Sequence, residues 1–327
     1  MADTVQSWVE RIRAGDVRAL ARAISMIEDG RPDSPALLKA LFPLSGHARV
    51  IGLTGAPGSG KSTLVDHMAR EYRRQERTVG IIAVDPTSPY TGGAILGDRI
   101  RMQAHHADPG IYIRSMATRG FLGGLARATT DVSTVLDASG KDIILIETVG
   151  VGQDEVDIVR LADVTIVVLV PGMGDDVQTI KAGIMEIADV FVINKSDREG
   201  AERVEREIRA MQTLAIRKDG WTPPIVKTVA SEGKGVAELA AAIASYEQFL
   251  QQHDLLLKKK VSNWRERVVE MLRESLLQRL MRERMPEDEL NRLAADVAEH
   301  RRDPYSAVDE IVDSFTCGAE SASPRKD

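Results

Sequence analysis

The chain has 327 residues, 43% hydrophobic and 28% charged, a mixture that fits about two globular domains rather than a disordered or fibrous chain. A net charge of −6 and a pI near 5.7 argue against a nucleic-acid partner, which needs clustered Lys and Arg. The lone cysteine, Cys317, excludes an internal disulfide, and no apolar run approaches the roughly 18 residues of a membrane span. With no signal-peptide core at the N-terminus, the expectation is a cytoplasmic protein with no membrane association.

Residues 1–48 place Trp8, Ile12, Val17, Leu20, Ile24 and Ile27 at helical spacings, with breaks at Gly15-Asp16 and Gly30-Arg31-Pro32-Asp33. This predicts an N-terminal helical extension packed on the domain that follows. Over residues 49–250 the pattern changes to short, β-branched apolar runs separated by helix-length segments. Seven strands are expected around Val50–Leu53, Val79–Asp85, Ile111–Ser115, Ile143–Glu147, Val164–Val170, Val190–Asn194 and Ile225–Val229. Such runs make an α/β fold with a doubly wound, mostly parallel sheet. The helix-length segment 61–77 favours parallel pairing of the strands on either side of it. Residues 251–317 are helical again, with one long helix from about 254 to 284 and a new helix opening at Pro286; 318–327 is a polar tail expected to be disordered. The run Lys258-Lys259-Lys260 is expected on a solvated helix face.

After the first strand comes Gly55-Ala56-Pro57-Gly58-Ser59-Gly60-Lys61-Ser62-Thr63, which fits Gly-x-x-x-x-Gly-Lys-Ser between a strand and a helix. Its glycines allow several N–H groups to converge on one phosphate, beside the positive end of a helix. Lys61 is expected on the outer phosphates and Ser62 on magnesium. The strand Ile143–Glu147 ends in a carboxylate, and Glu147 stands where Asp is usual, which suits action on Mg2+ through a bound water. Asp85, ending the second strand, is a candidate for positioning water or metal, and Asp98, at the end of a Gly-rich loop, for a further magnesium-side carboxylate.

Asn194-Lys195-Ser196-Asp197 has the Asn-Lys-x-Asp form that reads guanine: the Asp197 carboxylate accepts from N1–H and N2–H₂, and adenine would leave it unpaired. Ala230-Ser231-Glu232, after the last strand, is placed to offer backbone N–H groups to guanine O6. GTP or GDP is therefore the expected ligand. His105 and His106 diverge on a helix and are not a metal pair; His47, His67, His253 and His300 are dispersed, and Met271, Met281 and Met285 read as packing.

With these motifs in place the chain resembles the MeaB/ArgK family, the methylmalonyl-CoA-mutase-associated P-loop GTPases that include the methylmalonic aciduria type A protein. The likeness runs over about residues 10–317. Its specific pieces are Val84-Asp85-Pro86 with Thr91–Asp98, Glu147–Gln153, Pro171–Gln178 with Ile180–Gly183, and Asn194–Asp197. The resemblance implies a GTPase chaperone that guards loading, retention and repair of adenosylcobalamin on an acyl-CoA mutase, with a mobile switch at Pro171–Gly183. A homodimer built through the C-terminal helices is implied as well. Gln153 lies six residues after Glu147, a spacing unlike that of the water-orienting glutamine in Ras-like proteins. Two alternatives stand beside this reading, a metallochaperone-type GTPase and an ATP-dependent kinase or transport ATPase. The first would need Cys or His ligands near the phosphate loop, and the second would have no use for Asp197.

Overall fold

The structure is a computed structural model that describes residues 4–85, 108–117, 124–148, 162–172, 187–214, 217, 219–283 and 285–317. Residues 1–260 form one compact unit and 261–327 a second.

The first unit opens with three helices, each started by a local signal. α1 (Val5–Arg13) is capped by Thr4, and α2 (Val17–Glu28) by Asp16, whose carboxylate accepts the Arg18 and Ala19 N–H groups at 2.9 and 3.0 Å. α3 (Ser34–Leu41) carries a proline in its first turn. Ile12, Leu20, Ile24, Leu37 and Leu41 are buried, as helical spacing requires. Val17, expected on the same apolar side, is exposed because it opens α2, ahead of the turn that packs.

Seven strands follow: β1 (Arg49–Thr54), β2 (Val79–Asp85), β3 (Ile111–Ala117), β4 (Ile143–Glu147), β5 (Val164–Leu169), β6 (Val190–Asn194) and β7 (Ile225–Thr228). All pair in parallel, in the order β3-β2-β4-β1-β5-β6-β7. β1 and β2 are parallel but not neighbours. β4, whose five residues are all buried, lies between them, where an uninterrupted apolar strand belongs. Helices α4 (Lys61–Arg74), α5 (Gly124–Ala138) and α6 (Ala201–Leu214) serve crossovers between strands, and α7 (Val236–Gln252) follows the last strand.

Alternation along the strands sorts the core into layers. Ile51, Leu53, Ile143 and Leu145 pack with Leu64 and Met68 of α4 and Leu239 and Ile243 of α7. Ile82, Val84, Ile144 and Ile146 pack instead with α5 and the N-terminal helices, so the extension covers one face of the sheet. Two polar clasps hold it there: Arg114 of β3 pairs with Glu28 of α2, and the Asp137 carboxylate of α5 accepts the N–H groups of Gly46, His47 and Ala48.

α8 (Leu256–Glu283) begins within the first unit. Leu255 and Leu256 pack against the core. Lys259 is not on a solvated face as the Lys258–Lys260 run suggested: its ammonium donates to Asp189 at 2.8 Å, because that carboxylate, 3% exposed, must find cations to be buried at all. In the second unit, Pro286 separates α8 from α9 (Glu287–Ala298), whose first turn carries Glu287, Asp288 and Glu289 against the helix dipole; α10 (Pro304–Cys317) follows. Residues 318–327 lie outside the described residues. Among the described residues no helix is long and apolar enough to cross a membrane.

Candidate functional site

The carboxyl ends of the strands share one edge, and the predicted site residues gather along it. β1 runs out through Thr54 into Gly55, which has φ +142°; a Cβ there would stand 2.2 Å from the Val168 carbonyl oxygen of β5, so only glycine lets the chain turn at this depth. Ala56, Pro57 and Gly58 lead outward, Ser59 is buried, and Gly60 at φ +92° delivers the chain into α4 at Lys61. Ser62 and Thr63 follow in its first turn, where backbone N–H groups have no partner within the helix and point out of its end. That is a cradle for an anion.

Lys61 is 5% exposed, and its ammonium folds back over the loop to donate to the carbonyls of Gly55 at 2.6 Å and Ala56 at 3.1 Å. The cation is thus held over the cradle by loop backbone. On the adjacent strand, Glu147 ends β4 opposite Leu53, 6% exposed, and accepts the Ser62 hydroxyl at 2.6 Å. The hydroxyl and carboxylate predicted to serve one metal are therefore in contact. Thr148, next in the chain, bonds the Leu53 carbonyl through its N–H at 3.2 Å and its hydroxyl at 3.3 Å, fixing the exit of β4 beside that of β1. Asp85 ends β2, two residues past Ala83, the partner of Glu147 in the ladder; its side chain is outside what the structure describes. Asp98 and Gln153 lie outside the described residues, as does the segment Pro171–Gly183 beyond Gly172.

On the other side of β1 the Asn-Lys-x-Asp motif leaves β6. Asn194, 2% exposed, donates through Nδ2 to the Ser59 carbonyl at 2.7 Å, and its Oδ1 accepts the Thr228 hydroxyl at 3.1 Å and the Ala230 N–H at 3.0 Å. One amide thereby joins the phosphate loop, the end of β7 and the turn after it. Gly60 answers to this contact too, since a Cβ there would lie 2.4 Å from Asn194 Nδ2. Lys195 adopts φ +54° and donates to the Gly58 carbonyl at 2.7 Å, while Asp197 is exposed.

Ala230–Glu232 forms a 3-10 turn at the same edge. Its amides are not all available as the sequence suggested: Ala230 N–H is taken by Asn194 and Glu232 N–H by the Val229 carbonyl at 2.9 Å, because a tight turn consumes its own donors. Thr228 was missed by sequence reasoning. Its role follows from strand register, Asn194 opposite Thr228, which no local pattern reveals. The assembled edge offers an anion cradle with an embedded cation, a hydroxyl–carboxylate pair suited to a hard metal, and an exposed carboxylate behind a rigid amide.

Known proteins resemble this chain over most of its length. The family model for methylmalonyl-CoA mutase-associated GTPase MeaB matches residues 20–285. A putative GTPase of Pyrococcus horikoshii is 47% identical over 318 residues, 95% of this chain and 98% of its own. A mitochondrial methylmalonic aciduria type A homolog of Mus musculus is 34% identical over 286 residues, 80% of this chain and 69% of its own. Among solved structures, a LAO/AO transport system kinase superposes with a TM-score of 0.72 at 26% identity, covering 97% of this chain and 99% of that one.

Proposed function

Because the chain belongs to the MeaB family of methylmalonyl-CoA mutase-associated GTPases, we propose that it hydrolyses GTP and uses that cycle to guard adenosylcobalamin on an acyl-CoA mutase, in loading, retention and repair. The observation that carries the nucleotide part is the bonding of Asn194, which ties a phosphate loop to a guanine-type motif through one buried amide. In this reading Gly55–Thr63 wrap the phosphates and Asp197 accepts from guanine N1–H and N2–H₂. Asn194 and Lys195 brace the loop from behind, and the Ala230–Glu232 turn lies beside the base.

The donors fit Mg2+: a serine hydroxyl and a carboxylate 2.6 Å apart are the hard oxygens this ion takes. Magnesium, when bound, supplies charge neutralisation across the outer phosphates. Ser62 and Glu147 would hold it, with Asp85 and Asp98 as further carboxylates. Lys61 releases the loop carbonyls and stabilises charge on the transferring phosphoryl group. Asp85 and Glu147 orient the water that attacks, Glu147 by keeping the Ser62 hydroxyl aimed.

The partner in this proposal is an adenosylcobalamin-dependent acyl-CoA mutase, met by a homodimer assembled through the region 251–317. Val268, Val269, Leu272, Leu276 and Leu277 of α8 are exposed, as a helix waiting for a second copy would have them. Calorimetric titration with GTP, GDP and ATP tests the base site. GTP and GDP should bind at least about 100-fold more tightly than ATP, since adenine offers the Asp197 carboxylate neither of the two hydrogen bonds that guanine does. Equal affinity for ATP would overturn the guanine reading.

A further inference from the structure

His67 lies on α4 beyond Lys61, half-buried, and the edge of its ring rests on Gly233. A Cβ on Gly233 would stand 3.0 Å from His67 Nδ1 and 3.3 Å from Cε1. Gly233 closes the Ala230–Glu232 turn at φ +69°, so its backbone and the space beside it both exclude a side chain. Leu64 and Met68, flanking His67 on α4, share one core cluster with Ala230 and Val236 on either side of that turn. The helix whose first turn frames the phosphate cradle therefore carries, farther along, the ring against which the base-side loop is seated.

We propose that His67 is a positioning residue for the nucleotide: it sets the spacing between α4 and the loop 230–235, so that the phosphate and base halves of the site are presented together. This rests on the guanine-nucleotide reading above. The loop has other ties, namely Asn194 to Ala230 N–H at 3.0 Å and the bridge from Val229 N–H to the Lys234 carbonyl at 3.1 Å. Removing the ring thus leaves the loop attached but free to shift toward α4. A ligand that spans both halves loses affinity, and one that uses only the cradle does not.

The test compares wild type with His67→Ala and His67→Phe, using GDP, ADP and inorganic pyrophosphate with magnesium as probes. His67→Ala should weaken GDP about 5–20-fold, chiefly through faster dissociation, as is usual for changes within one binding site. Turnover at saturating GTP and pyrophosphate affinity should stay within about twofold, and His67→Phe, which refills the space, should restore GDP retention. Gly233→Ala strains the loop by its backbone alone, so it is measured on both wild type and His67→Ala: its cost to GDP retention should be smaller without the ring, and an equal cost in both would overturn the contact. GDP dissociation unchanged in His67→Ala, in a wild type that prefers GDP to ADP, would overturn the role of His67 alone. A parallel loss of pyrophosphate affinity would do so too, by tracing the effect to α4 itself. A wild type without that preference would overturn the site reading along with it.

Discussion

Asn194 Nδ2 donates to the carbonyl of Ser59 at 2.7 Å, so the Asn-Lys-x-Asp motif and the loop Gly55–Thr63 are joined by a hydrogen bond between buried groups, beside the exposed one from Lys195 to Gly58. The Asn194 side chain makes two further bonds, to Thr228 and Ala230, and none of its three partners is in its own segment. Asn194→Ala strands them all. At about 1 kcal/mol for each, GDP affinity should fall on the order of 100-fold, with the sheet still folded. Titration calorimetry beside a circular dichroism melt checks this; GDP affinity within twofold of wild type would show that the amide is only structural.

Lys61→Ala removes the buried cation held over the cradle. Hydrolysis should drop about 10²–10³-fold or more, by analogy with removal of a transition-state donor. Near-normal turnover in a folded variant would assign the charge stabilisation to another group.

Asp197→Asn exchanges an acceptor for a donor at an exposed position, so GTP should bind more weakly and xanthine nucleotide more tightly. Competition among GTP, ATP and XTP measures it, and unchanged discrimination would move the base site elsewhere.

Glu147→Gln keeps the shape of the Ser62 partner and discards its charge. Turnover and the apparent affinity for magnesium should fall together, while GDP binding without metal changes little. An equal loss of metal-free GDP binding would make Glu147 a brace for the loop rather than a metal-side group.

Much of this arrangement was legible in the sequence because its signals are local. Apolar β-branched runs gave away seven strands, and the Gly-x-x-x-x-Gly-Lys-Ser stretch could be placed between a strand and a helix without knowing any tertiary contact. What stayed hidden depends on register and on distant partners. That β4 enters between β1 and β2 is a choice of order among similar apolar strands. Thr228 matters only because it lies opposite Asn194, and His67 only because Gly233 comes against it. Lys259 looked like one of three solvated lysines, yet it serves Asp189, 70 positions away.

That last contact decides how to test the C-terminal helices. The first compact unit ends at Lys260 in the chain, and Asp189 is held by both Lys259 and Arg217, the latter at 3.1 Å. A chain ending at residue 260 keeps both cations and should be monomeric while binding GDP as wild type does. Ending near residue 253 also removes Leu255, Leu256 and Lys259. Breaking a buried pair costs up to about 3–5 kcal/mol, lessened here by Arg217, so the shorter chain should melt lower. Light scattering with thermal melts reads both effects; a dimer that survives the cut at 260 would place the two-fold contact in the first unit.

The central claim is that this nucleotide switch serves a mutase, and its most direct measurement is GTP hydrolysis with and without an adenosylcobalamin-dependent acyl-CoA mutase. The account predicts that the mutase raises the GTP turnover rate, that ATP is not a substitute, and that Lys61→Ala shows no stimulation. An identical GTPase rate at saturating mutase, with no complex detectable in either nucleotide state, would contradict it.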